Sequence, residues 1–192
     1  MKIKIILFYL LSFFIYNISF SQENKSLVNQ FKVSYNIVSL EFAYEHPLNK
    51  KLTLEGAVGL GAGNYIEKNI FNENRIGSSL SFQSFPSIRL RSKLKYIYNR
   101  EKRFNKNKNI DYNSGNYIGI QSTFTSKQNN VTDITNVANN VLLTEIHWGM
   151  QRSLGGKWLF NVNGGFGYAN DFISKLGKFY PSIGLEFSYV IF

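Results

Sequence analysis

Four cations recur at every second position in the middle of the chain: Arg89, Arg91, Lys93 and Lys95, within the run SLSFQSFPSIRLRSKLKYIY from Ser79 to Tyr98. The interleaved positions are mostly apolar, as in Ile88, Leu90, Leu94 and Tyr96. Successive side chains of a strand point to opposite faces, so this is a β period with one greasy face and one cationic face. Such a row could attract an anion, guide a charged solute or pair with carboxylates. Candidate carboxylates stand on the polar parity of other alternating stretches: Glu41, Glu45, Glu55, Glu145 and Glu186. Glu55, Glu41, Glu186, Arg91 and Lys93 fall at similar heights when the strands are laid side by side. Cations buried without partners are costly, so the pattern predicts an ion-pair network. The network is expected to act as a structural plug, with an ion or solute path as the alternative.

Glu145 and His147 share a face, an arrangement capable of proton transfer. The other histidine, His46, sits at a turn before Pro47, and no nucleophile stands at a usable spacing. No catalytic residue is therefore assigned, and His147 is read as part of the polar network. With no cysteine and two histidines in separate hairpins, neither a metal site nor a cofactor is expected. The glycines at 59, 61 and 63 look like a fragment of a phosphate-binding loop, but they lie inside a strand with no helix after it. Gly59, Gly61, Gly165 and Gly167 are better read as making room beside bulky neighbours on the inner face.

Strands must position these residues. Alternation marks Ile37 to His46, Leu52 to Ala62, the cationic run itself, Asn116 to Thr125, Val141 to Arg152, Lys157 to Ala169 and the C-terminal FYPSIGLEFSYVIF. HPLNKK and SLGG are short turns. Longer polar connections are expected at 63–79, 97–115, 126–140 and 170–178, the second with a short helical turn. A weak stretch around Leu27 to Val33 is promoted to a first strand, because an up-and-down barrel with both termini on one side needs an even number. The fold class expected is all-β, an up-and-down antiparallel transmembrane β-barrel of eight strands.

The N-terminus reads MKIKIILFYLLSFFIYNISFSQ, with Lys2 and Lys4, an apolar run to about Tyr16, and Ser19 and Ser21 at signal-peptidase spacing. Residues 1–21 are therefore a predicted secretory signal peptide. Residues 22–34 form an N-terminal segment holding the possible short first strand, and 35–192 the barrel, as one domain. The formal charge is +10, yet an exported chain without a nucleic-acid motif argues against a nucleic-acid partner. Nine Lys and Arg residues lie between Arg89 and Lys108, with Glu101 the only acid there. The basic 97–108 connection could meet acidic lipid headgroups or a periplasmic partner, or simply be solvated. After residue 21 no apolar run approaches the ~18 residues of a spanning helix, so a membrane would be crossed by strands.

Alternation alone does not separate a membrane barrel from a soluble one. The short turns HPLNKK and SLGG alternate with longer connections at 63–79, 126–140 and 170–178, as in outer-membrane barrels, whereas the 97–115 connection is long for a periplasmic turn. Aromatics gather near strand ends (Tyr44, Tyr96, Tyr117, Trp158, Tyr168, Phe179), which suits interfacial girdles, and the charges fall in mid-strand on the polar face. The signal peptide ending FSQ, the hairpin YEHPLNKKLTLEGAVGLGAG, the strand start NSGNYIGI and the aromatic C-terminus resemble the small OmpA/OmpX-like outer-membrane β-barrels, particularly those of Bacteroidetes. The resemblance implies a closed barrel inserted into the cell outer membrane by the barrel assembly machinery, through a C-terminal signal of Phe187, Tyr189 and Phe192. A monomeric, non-enzymatic barrel in contact with outer-membrane lipid is expected. Phe187 and Tyr189 are not on the parity of Phe192, which predicts either a bulge in the last strand or an imperfect signal. A structural or surface-interaction role is expected; a narrow channel for small solutes and a lipid-acting barrel enzyme are the alternatives.

Overall fold

A computed structural model describes residues 26–72, 75–127 and 139–192, with the backbone alone at 67–86. The expected signal peptide lies outside the described residues. Eight strands follow in chain order: β1 (Gln30–Asn36), β2 (Ser39–Pro47), β3 (Leu52–Asn72), β4 (Arg75–Ile97), β5 (Gly115–Thr125), β6 (Val141–Gly155), β7 (Trp158–Asp171) and β8 (Leu176–Val190). Each pairs antiparallel with the next, and β8 pairs with β1, so the sheet closes into an up-and-down barrel. Closure leaves no free sheet edge along the paired length.

The barrel begins at Gln30, earlier than the boundary at residue 35. Gln30, Lys32 and Ser34 turn inward and are buried, and they pair β1 with β2 from Gln30↔Glu45 to Asn36↔Ser39. Leu27 stands ahead of the strand and packs with Ile97 and Tyr117 at the end of the barrel. The long loop expected at 63–79 is instead largely strand. β2 leaves β3 at Ser39↔Gly61 and β5 leaves β4 at Thr125↔Arg89, so beyond those points β3 and β4 form a ladder with each other, apart from an isolated bridge between Asn64 and Asn139. A two-stranded ribbon has no barrel lumen behind it, and the Asn, Gly and Ser content of 63–79 reads as loop although the backbone there is largely strand. The connection expected at 170–178 shrinks to 172–175, with Lys175 in the left-handed region (φ 56).

A register shift between Ala62 and Gly63 marks where the ribbon leaves the wall. It turns over the mouth, with Asn64 and Ile66 buried. The Asn64 carbonyl accepts from the Asn139 amide at 2.9 Å. Asp171 Oδ2 accepts from the Ile66 amide at 3.3 Å and from Asn139 Nδ2 at 2.7 Å. Beneath the ribbon, Ile66, Val141, Leu143 and Ala169 form an apolar cluster against Leu176 and Tyr180.

The opposite end, which carries both termini, is covered by the connection between β4 and β5. This connection contains helix α1 (Arg100–Phe104) and a 3-10 turn (Asp111–Asn113). Arg100 is buried and donates from Nη1 to the Ile110 carbonyl (2.5 Å) and from Nη2 to the Ser26 carbonyl (2.7 Å). Burial here draws the Arg100 pKa below its ordinary value, against the pull of Asp111 and Glu45. Asn113 bridges the cap to the wall, accepting from the Val28 amide (2.8 Å) and donating to the Val28 carbonyl (2.9 Å) and Glu45 Oε1 (3.2 Å).

On the outer face Leu40, Phe42, Val58, Leu60, Ile88, Leu90, Ile118, Ile120 and Ile146 are all about half exposed, an apolar belt over β2 to β6 crossed by a row of small and polar residues, Gly56, Ser92, Ser122 and Thr144. Aromatics flank it: the Trp148 indole donates to Tyr98 Oη (2.8 Å), Trp158 packs on Tyr189 (5.1 Å between centroids) and Tyr168 on Phe179 (4.8 Å). Tyr117 differs from the girdle expectation. It shares the inward parity of Gly119 and Thr123 and is fully buried, its hydroxyl donating to Asn161 Oδ1 (2.8 Å). At the C-terminus Phe187, Tyr189, Ile191 and Phe192 are all exposed. The ladder to β7 is unshifted from Asp171↔Leu176 to Trp158↔Tyr189, so β8 has no bulge there; Phe192 lies past the end of the strand, where alternation no longer applies, and stacks on Phe31 at 5.7 Å.

Candidate lumenal site

The inward parity of β4 carries Ser87, Arg89, Arg91, Lys93 and Lys95, each buried, while Ile88, Leu90 and Tyr96 face outward. Arg91 is the centre of the arrangement. Its Nε donates to Glu41 Oε2 and its Nη1 to Glu55 Oε1, both at 2.7 Å. Nη2 lies 3.3 Å from Glu186 Oε2 but is poorly aligned for a hydrogen bond. Three strands, β2, β3 and β8, thus deliver carboxylates to one guanidinium, whose fork of donors suits several acceptors at once.

Nearer the terminal end, Lys95 Nζ stands 2.7 Å from Glu45 Oε2 and 3.2 Å from Glu55 Oε2. Lys32 of β1 joins the same acids, 2.7 Å from Glu55 Oε2 and 3.2 Å from Glu45 Oε2. Glu45 also accepts from Gln30 Nε2 (2.7 Å), and Lys95 donates to Gln151 Oε1 (3.1 Å). Gln151 in turn donates to the Tyr112 carbonyl of the cap at 2.7 Å. The charged layer therefore runs without interruption into the cap. Fully desolvated ions need this degree of mutual satisfaction, since removing one partner leaves an uncompensated charge.

Toward the other end the pairing thins. Arg89 donates from Nη1 to the Ala62 carbonyl (3.0 Å), and its Nε is 3.6 Å from Glu41 Oε1 without a hydrogen bond. Lys93 has one carboxylate within reach among the described residues, Glu186 Oε2 at 3.9 Å. Glu145 makes no ion pair among the described residues and accepts from Gln121 Nε2 (2.7 Å), Tyr180 Oη (3.0 Å) and Ser182 Oγ (2.7 Å).

His147 is buried edge-on to Tyr117 at 5.8 Å, and neither ring nitrogen has a hydrogen-bond partner among the described residues. It is not bonded to Glu145, whose oxygens are occupied by other donors, so the two do not form an acid–base pair. Among the described residues no three His, Cys, Asp or Glu side chains converge as a metal site.

Close packing explains part of the glycine pattern. A Cβ on Gly59 would stand 2.1 Å from the Leu40 carbonyl oxygen, and one on Gly149 would meet the Tyr117 ring at 2.5 Å. Lys32, Gln30, Tyr117, Gln151, Asn161 and Asn113 belong to the site although the charge pattern of β4 does not point to them. Lys32 was legible in principle, because QFKVSYN alternates and places it with Gln30 and Ser34. Asn113 and the Tyr112 carbonyl come from an irregular connection, where no periodicity reports direction.

No family model matches the chain, and no curated protein matches it. Among solved structures the chain is similar to the outer membrane protein AlkL, determined by solid-state NMR in lipid bilayers, at 10% identity and a TM-score of 0.38 over 91% of this chain and 95% of that one.

Proposed function

We propose that the protein is an integral outer-membrane β-barrel with a structural or surface-interaction role, its lumen filled by the ion-pair network centred on Arg91. The carrying observation is that Arg91 is held between Glu41 and Glu55 at 2.7 Å and beside Glu186 at 3.3 Å, all four buried. Small barrels of eight strands have interiors that side chains can fill. The apolar belt with its aromatic flanks supports lipid as the outer neighbour. Outer-membrane location and monomeric state belong to the same reading, as does insertion by the assembly machinery through Phe187, Tyr189 and Phe192. The role is non-enzymatic in this reading, since Glu145 is engaged by Gln121, Tyr180 and Ser182 and is not bonded to His147. Planar-bilayer recording tests it. A plugged lumen gives no steady, large openings, and their appearance would replace the plug with the narrow channel.

A further inference from the structure

A cavity of about 570 Å³ lies above the charged network, reaching Leu143 and Tyr180 at the apolar cluster beneath the ribbon. That volume falls within the roughly 300–1,000 Å³ typical of small-molecule sites. Its floor includes Arg89 and Lys93 beside the carboxylates of Glu41, Glu145 and Glu186, yet Ile37, Val38, Ile183 and Leu185 also line it. Ile183 and Leu185 belong to the outward parity of β8, and Ile183 is 79% exposed. A wall shared by inward and outward side chains means that the cavity opens sideways. The ladders give the reason. β1 pairs with β8 only as far as Asn36↔Glu186, while β8 continues back to Leu176 with β7 alone as its ladder partner, and β2 has already left β3 at Gly61. At the depth of an apolar belt, backbone outside a ladder is tolerated where it is buried in protein or lines a water-filled cavity.

The cations at this floor are short of partners. Lys93 is 2% exposed and has one carboxylate, at 3.9 Å, which lies nearer to Arg91. Arg89 is 7% exposed and its Nε makes no hydrogen bond. The acids around them are engaged elsewhere: Glu41 and Glu186 by Arg91, Glu145 by its three neutral donors. Buried cationic donors left in this state favour an incoming anion.

We infer that the cavity binds a single-chain anionic amphiphile: an acidic headgroup on Arg89 and Lys93, with its alkyl chain passing Leu143 and leaving between Val38 and Ile183. The inference rests on the membrane-barrel reading above and adds the ligand class to it.

Equilibrium binding of dodecanoate to the full chain in phosphatidylcholine nanodiscs, with empty discs subtracted, tests it. Saturable one-to-one binding is expected, weakened about tenfold or more by Arg89→Gln or Lys93→Met, the loss of a charged hydrogen bond. Ile183→Asp at the opening, outside the ion pairs, should weaken it comparably and serves if the cation variants do not fold. Absence of saturable binding, or affinity unchanged in these variants, would overturn the inference. So would acetate or inorganic phosphate competing as well as dodecanoate, since the site would then hold a free anion, or dodecanol competing as well, since the cations would then be irrelevant. Heat-modifiable migration on gels separates the two readings. A protein that shifts on heating and binds nothing loses the amphiphile site alone, whereas one that does not shift loses the membrane barrel and the inference together.

Discussion

Arg91 and Lys106 carry the same formal charge in opposite circumstances. Arg91 is buried among three carboxylates, while Lys106 lies exposed in the cap. Replacing Arg91 with Met leaves Glu41, Glu55 and Glu186 desolvated and short of their central cation, which should destabilise the barrel by about 3–5 kcal/mol. Lys106→Ala should stay within about 0.5 kcal/mol. Urea unfolding of the two variants in detergent micelles measures both, and equal midpoints would contradict the network. Lys93→Met belongs on the mild side of this comparison, because the side chain removed has one distant carboxylate.

At the scale of elements, the cap between β4 and β5 and the ribbon of β3 and β4 close opposite ends by different means. The cap is joined to the wall by specific polar contacts, of which Asn113 makes three. Asn113→Ala leaves the Val28 amide and carbonyl and one oxygen of Glu45 without this partner, an expected loss of about 1–3 kcal/mol. Limited proteolysis should then cut within 98–114 faster than in the parent chain, and unchanged cutting would show that the cap is held some other way. The ribbon leaves the wall just beyond the last β2–β3 pair, Ser39↔Gly61. At Gly59 a side chain would strike the Leu40 carbonyl and the Glu41 Cα, both backbone atoms that cannot rotate away. Gly59→Val should therefore cost about 1–3 kcal/mol by overpacking, read as a lower unfolding midpoint with an unchanged far-ultraviolet spectrum.

For the whole molecule, burial of the charges sets the response to salt. Raising ionic strength from about 0.1 M to about 1 M shortens the Debye length from about 10 Å to about 3 Å, which weakens exposed pairs and leaves buried ones nearly untouched. Lys32, Lys95, Glu45 and Glu55 are each no more than 1% exposed. The thermal midpoint should consequently hardly move over that range. A marked fall would mean that solvent reaches the lumen, in agreement with conductance and against the plug.

The number of strands, the inward and outward faces of the wall and the cationic row of β4 were legible in the amino-acid sequence, because a side-chain period of two is a local property that needs no knowledge of neighbours. The carboxylates could be named for the same reason. Which acid meets which cation was settled by register: Glu41 and Glu55 reach Arg91 because β2, β3 and β4 pair at Glu41↔Gly59 and Ala57↔Arg91, a matter of ladders between distant segments. Tyr117 lies between β4 and β6 on the parity of Gly119 and Thr123, so its inward turn was legible as well. The ribbon and the cap's grip on Glu45 belong to tertiary structure: the ribbon runs on beyond its flanking strands β2 and β5, and the cap leaves regular structure, so no side-chain period reports where either goes.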